Sequence, residues 1–291
     1  MSPLKLAGFP GLLWPAPETV LLVALLGACI GSFLNVVAWR LPRQESLIKP
    51  PSHCPRCGTT LAWFENVPVL GWFVLGGRCR YCHAPISPRY PAVEVLCSGL
   101  GVLMLLARTE AMGPAPAQPL LWLAGWTLGS LLLVLALIDL DQLWIPEPVC
   151  RWGVVAGWGL TAWLGWSQSP ALARSLLTSH LLASAMGLLG FELLATLAAR
   201  WMGRPALGSG DGKVAALLGA WLGPQGLVLA VMLAVLIAAA IGGLGLASGA
   251  LKRHQPIPFV PFLALAGVLL WLTGAGPWQA LWLADHWAGG P

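Results

Sequence analysis

Charge is what this chain has least of. Of 291 residues only 9% are charged, eleven are acidic, and four are aspartates: Asp139, Asp141, Asp211 and Asp285. A water-soluble domain carries about a quarter charged residues, so a soluble globular protein is excluded by composition. Tyrosine is also scarce, two against 17 tryptophans. That balance suits rings anchored at a membrane interface but carries no functional inference. Solenoid-type repeats and low-complexity segments are missing too. The net charge of +5 could suit nucleic acid or anionic lipid. Its basic residues, however, sit in loops between apolar segments, which points to membrane lipid and away from nucleic acid.

Apolar residues fill the space that charge leaves. They make up 57% of the chain, and the mean hydropathy is +0.77. Runs long enough to cross a bilayer, roughly 17–25 residues each, fall near 18–38, 91–107, 119–138, 149–166, 176–199, 213–224, 226–248 and 259–284. The expectation is an all-α polytopic membrane protein with about eight transmembrane helices. The sixth run is short, so it reads as a half-span or as part of the seventh. Glycine and proline punctuate the joins at Gly113-Pro114, Gly223-Pro224 and Pro256-Ile257-Pro258. Three parts follow: 1–38 with the first helix, a loop 39–90, and a membrane core 91–291.

Orientation comes from counting lysine and arginine. With loop 39–90 in the cytosol, thirteen of the 16 fall on that side, leaving only Lys5, Arg108 and Arg174 opposite. The positive-inside rule then puts both termini outside. Leu26-Gly27-Ala28-Cys29 looks like a lipoprotein cleavage box. Yet the only basic residue upstream is Lys5, and the apolar run continues past Cys29. The segment therefore reads as a retained helix.

Four of the seven cysteines form Cys54-Pro-Arg-Cys57 and Cys79-Arg-Tyr-Cys82 in the long loop. Two such pairs suit a tetrahedral zinc site, each knuckle aiming two thiolates at one ion. A disulfide pair is disfavoured in a reducing cytosol, and a thioredoxin-like pair needs a βαβ unit. Four thiolates leave no open position for water, so the metal is structural. His53 and His83 flank the knuckles as bystanders. Cys29, Cys97 and Cys150 lie in or at apolar runs, where a lone cysteine behaves as a small hydrophobe.

The acids carry the chemistry. Asp139 and Asp141 end the third span in Ile138-Asp139-Leu140-Asp141, and Asp211 precedes the sixth in Gly208-Ser209-Gly210-Asp211-Gly212-Lys213. Asp285 falls in the C-terminal tail and reads as solvated. By the topology above, the Asp139/Asp141 and Asp211 sites share one membrane face. An ionisable group in a span is costly, which makes function the default reading. Two close carboxylates share one proton: the ionised one activates water, and the protonated one donates to a carbonyl oxygen. Glycines such as Gly208 and Gly210 would let a substrate backbone approach. The bland alternative makes Asp211 a helix N-cap and the Asp139/Asp141 pair a helix exit. A phosphate loop is excluded, since Leu207 and Val214 stand where Gly and Ser/Thr are required.

Taken together, several stretches resemble the bacterial prepilin peptidases. They are Gly31-Ser32-Phe33-Leu34-Asn35-Val36-Val37, Arg40-Leu41-Pro42, both cysteine pairs, Trp63-Phe64-Glu65-Asn66-Val67-Pro68 and Arg89-Tyr90-Pro91-Ala92-Val93-Glu94. Ile138–Asp141, the G-x-G-D at Gly208–Asp211 with Lys213, and Pro256-Ile257-Pro258-Phe259 with Pro261 complete the set. The resemblance implies an inner-membrane aspartic endopeptidase that removes the leader of type IV prepilins or type II secretion pseudopilins at the cytosolic face. It implies N-methylation of the new N-terminus with S-adenosylmethionine as well; no Rossmann-type glycine fingerprint is present for that cofactor. By resemblance, Asp139 and Asp211 are catalytic, and Asp141 is a neighbour that tunes charge. Glu147 stands where the family usually has Asp. Gly71 stands where it usually has Ser, leaving a more flexible peptide. Two other classes, a proton-coupled transporter and a non-catalytic secretion scaffold, predict deep acids with inverted repeats and a docking role for the zinc loop respectively.

Overall fold

An apolar segment in hydrocarbon must satisfy each N–H and C=O internally, so the runs become helices. The computed structural model describes residues 15–107, 118–203, 208, 210–252 and 255–274. These contain α1 (Pro17–Arg40), α2 (Leu70–Val74), α3 (Arg89–Leu106), α4 (Gln118–Gln142), α5 (Glu147–Trp166), α6 (Pro170–Met202), α7 (Asp211–Ala247) and α8 (Val260–Thr273). The described residues hold no strand beyond two isolated bridges. Helices built on α1, α3, α4, α6 and α7 are long and apolar enough to cross a membrane, so this is a multi-pass membrane protein. Lys5, Arg108, Leu207, Ser209, Asp285, the Gly113-Pro114 join and the end of the expected last span lie outside the described residues.

Local chemistry sets the helix ends. Pro17 and Pro170 open α1 and α6, where a missing N–H costs nothing. Ser169 caps α6 by accepting the Leu172 amide at 3.2 Å, and Gly203 closes it at φ 65°.

The expected sixth and seventh spans are two helices that together make up α7, joined at the non-helical Gly223 (φ 68°, ψ −173°). Run straight, its 37 residues would reach about 55 Å. Instead, Gly242 lies against Ile257 of the segment leading into α8, while Val260 bonds Asp139 and Asp211 lies in the field of Asp139. The helix therefore turns back at Gly223. Pro224 has no N–H to give the Ala220 carbonyl, and His180 of α6 supplies it, with Nδ1 at 2.9 Å.

Without a hydrophobic drive between helices in lipid, close backbone approach does the packing. Gly27 and Gly31, one turn apart on α1, lie so close to α3 that a Cβ on either would fall 2.5–2.6 Å from Ser98 or Glu94 Cα. Gly187 on α6 and Gly219 on α7 make the equivalent contact with Ala215 and Ala183. Two of the three buried clusters among the described residues position the acids. One joins α4 to α8 through Leu128, Leu132, Leu217, Leu218 and Leu263, and the other joins α1, α3 and α4 through Leu34, Val37, Val93, Leu137 and Ile138. Asp139 follows directly on Ile138.

Candidate active site

Asp139 and Asp141 are two positions apart on α4, so about 200° of turn sends them to different sides. Asp139 is buried, only 6% exposed, and its Oδ2 accepts the Val260 amide at 3.1 Å. Val260 is the first residue of α8, a position whose free N–H groups favour a carboxylate. The next residue, Pro261, has no N–H to compete. Asp141 lies at the surface, its Oδ1 2.6 Å from Arg89 Nη1, while Arg89 Nη2 also reaches the Leu137 carbonyl at 3.4 Å.

Asp211 opens α7 and is also buried, 8% exposed. Its carboxylate takes a backbone hydrogen bond from Gly208 and lies in the field of Asp139. The structure thus buries Asp139 and Asp211 within electrostatic reach of each other and turns Asp141 away to Arg89. The space beside Gly210 is occupied by Ile145, whose Cγ1 would stand 2.6 Å from a Cβ there. At Gly208 the neighbour is the Asp211 carboxylate itself, and Gly212 packs on Leu188 and Phe191 of α6. The glycines therefore seat Asp211 between the Leu143–Pro146 turn and α6. Lys213 reaches Glu147 of α5 at 3.8 Å, and Glu147 also pairs with Arg151. That bridge ties the starts of α5 and α7 together.

The four cysteine sulfurs converge, all within 4.8 Å of one another, with Cys54–Cys82 at 3.8 Å and Cys57–Cys79 at 3.9 Å. Four sulfurs each about 2.3 Å from one tetrahedral ion stand about 3.8 Å apart, so the set fits zinc. The two knuckles repeat at a 25-residue offset that composition did not reveal. Cys54 and Cys79 amides donate to Thr59 and Ala84, Gly58 and His83 amides to Cys54 and Cys79, and Leu61 and Ile86 amides to Ser52 and Gly77. Gly58 (φ 71°) and His83 (φ 56°) fill the same left-handed position. The thiols differ in acidity. Hydrogen bonding to Thr59 lowers Cys57 to about 6, amides of Cys82 and Tyr81 lower Cys79, and Cys82 is raised to about 11, where burial and hydrogen bonds from the neighbouring thiols outweigh its bond to the Ala84 backbone.

Gly71 is buried rather than loose: a Cβ there would sit 2.4 Å from the Glu65 carbonyl, so glycine lets α2 close on the Trp63–Asn66 turn. Neither the Asp139–Val260 contact nor the Arg89–Asp141 pair is readable from spacing, because each joins residues tens of positions apart.

Comparison with known proteins settles the family. The model of the bacterial peptidase A24 N-terminal domain matches residues 25–108, and that of the type IV leader peptidase family matches 126–243. The chain belongs to the type IV leader peptidase family. A prepilin leader peptidase/N-methyltransferase of Myxococcus xanthus (strain DK1622) is 38% identical over 81% of this chain and 65% of its own length. A protein of that name from Aeromonas salmonicida (strain A449) is 35% identical over 88% and 92%. The type 4 prepilin-like proteins leader peptide-processing enzyme of Escherichia coli O78:H11 is also 35% identical, over 88% and 94%. No solved structure matches. Membership makes the chain a leader-peptide-processing enzyme, with N-methyltransferase activity in the names of its relatives. Both aspartates fall within the second matched segment and all four cysteines within the first.

Proposed function

We propose that Asp139 and Asp211 are the acid–base pair of an aspartic endopeptidase that cuts the leader from prepilins or pseudopilins at the cytosolic membrane face. The observation that supports this reading is the burial of two carboxylates, from α4 and α7, within each other's electrostatic field, one of them oriented by the first amide of α8. Asp139 Oδ2 is committed to Val260, which leaves Oδ1 for proton exchange. One carboxylate takes a proton from water as it attacks the scissile carbonyl, and the other donates to the carbonyl oxygen. Collapse of the tetrahedral adduct returns a proton to the leaving amine. Placing this chemistry in the cytosol rests on the thirteen basic residues of that side. The same count puts both termini outside, and the family resemblance implies the inner membrane as the location.

The four cysteines would hold zinc as a closed structural site that braces the loop between α1 and α3. The methylation named for the relatives would use S-adenosylmethionine, which supplies an electrophilic methyl group to the amine that cleavage exposes. Purified enzyme with a prepilin substrate, followed by mass analysis of the product N-terminus, tests both steps. The reading expects a leaderless chain, 14 Da heavier when the donor is added; an uncut precursor contradicts it.

A further inference from the structure

Three of the motifs that carry the family resemblance, Gly31–Val37, Arg40–Pro42 and Trp63–Pro68, contribute side chains to a cavity of about 360 Å³ between α1 and the long loop, away from the Asp139 and Asp211 carboxylates. Its α1 wall is Cys29, Ser32, Phe33, Val36 and Arg40, a stripe at helical spacing. The opposite face of α1, Leu34, Val37 and Ala38, packs with Leu137 and Ile138 beside Asp139. One helix is thus a wall between two sites.

Arg40 is the unusual member of this wall. It is 7% exposed, and among the described residues its guanidinium meets a single carbonyl, that of Ser46 at 3.0 Å, and no carboxylate. A buried cation without an anion is costly, and a guanidinium fork suits a planar carboxylate. Ser52 and Asn66 add polar groups, and Phe33 and Ile48 add apolar surface. The loop side is held in place where Val69 adopts a γ-turn (φ 63°, ψ −57°) and donates its amide to Glu94 Oε2 at 2.6 Å. Glu94 also bonds Ser32 of the cavity wall. The volume falls in the range of small-molecule sites.

We infer that this cavity is the methyl-donor site, with Arg40 binding the carboxylate of the donor's amino-acid tail and the apolar wall holding its nucleoside. The inference rests on the methyltransferase half of the proposed function and assigns residues to it. An anionic group on Arg40 has two sources, the donor or a lipid headgroup, and the assignment is to the donor.

The test is equilibrium binding to the full-length protein in nanodiscs of phosphatidylcholine alone. The probes are S-adenosylhomocysteine and 5′-methylthioadenosine, which lacks the amino-acid tail. The wild type should bind the first at least about tenfold more tightly, the effect of a charged hydrogen-bonded pair. Arg40→Gln should close that gap, and Arg40→Lys should narrow it. Equal affinities in the wild type, or a gap that Arg40→Gln leaves intact, overturn the assignment. Phosphatidylglycerol that displaces S-adenosylhomocysteine while the tail makes no difference gives Arg40 to lipid. The wild-type arm needs no variant to fold, and retained zinc reports folding of the Arg40 variants. Prepilin cleavage by the wild type is scored separately. A chain that cleaves but binds neither probe loses only the donor site, whereas one that binds yet never cleaves loses only the peptidase reading.

Discussion

Asp139 of α4 holds the first amide of α8, that of Val260, at 3.1 Å inside the protein. One hydrogen bond therefore fixes the rotamer of a proposed catalytic acid and docks the helix that follows the Pro256-Ile257-Pro258-Phe259 segment. Pro258 and Pro261 limit the backbone on either side of Val260, so the donor is pre-oriented rather than recruited.

Asp141 differs from Asp139 in partner and burial, and its loss should show that. The Arg89–Asp141 pair is about one-third exposed on both sides, and such a pair contributes roughly 0.2–1 kcal/mol. Asp141→Asn should lower thermal stability slightly and keep prepilin cleavage within a few-fold of wild type. Steady-state cleavage with a melting curve measures both.

His83 occupies the left-handed position that Gly58 occupies in the first knuckle. His83→Gly should therefore stabilise the loop by ~0.5–1 kcal/mol, and Gly58→Ala should destabilise it by about 1 kcal/mol or more. The rate of zinc release to a chelator should fall in the first variant and rise in the second. Zinc retained by His83→Gly would also confirm that the imidazole is no ligand.

Metal loading should weaken as pH falls, because protons compete for the thiolates. Cys57, lowered to about 6 by Thr59, holds little proton at neutral pH, whereas Cys82, raised to about 11, keeps its own until metal arrives. Zinc binding at pH 7.5 should release at least one proton, measurable by calorimetry in buffers of different ionisation enthalpy. Thr59→Val removes the main cause of the Cys57 shift and raises that thiol. Its acid midpoint for zinc release should therefore move to higher pH.

His180 supplies the hydrogen bond that Pro224 cannot make. His180→Leu should orphan the Ala220 carbonyl at the turn of α7, at a cost of about 1–3 kcal/mol. Thermal unfolding in detergent would register it.

Features legible in the sequence were those coded locally or by scarcity. Apolar length marked the helices, the cysteine spacing marked a cluster that the structure closes to 4.8 Å, and rare aspartates marked the polar sites. Gly223-Pro224 announced a break in the chain, but only the contact of Gly242 with Ile257 shows α7 turning back. Choosing Asp139 over Asp141 needed the family resemblance. Helical spacing says that the two face apart, and only the positions of Val260 and Arg89 say which one faces inward. The cavity beside Arg40 was illegible for the same reason, since spacing does not show that loop residues from Leu47 to Pro68 fold back against α1.

The central claim, that Asp139 and Asp211 act together, is tested most directly by cleavage of a full-length prepilin with Asp139→Asn and Asp211→Asn. Asparagine retains an oxygen for the Val260 amide, so Asp139→Asn should fold and keep its zinc. Each variant should leave the precursor uncut, and the double variant should be no worse than either single one. Normal cleavage by either would contradict the account.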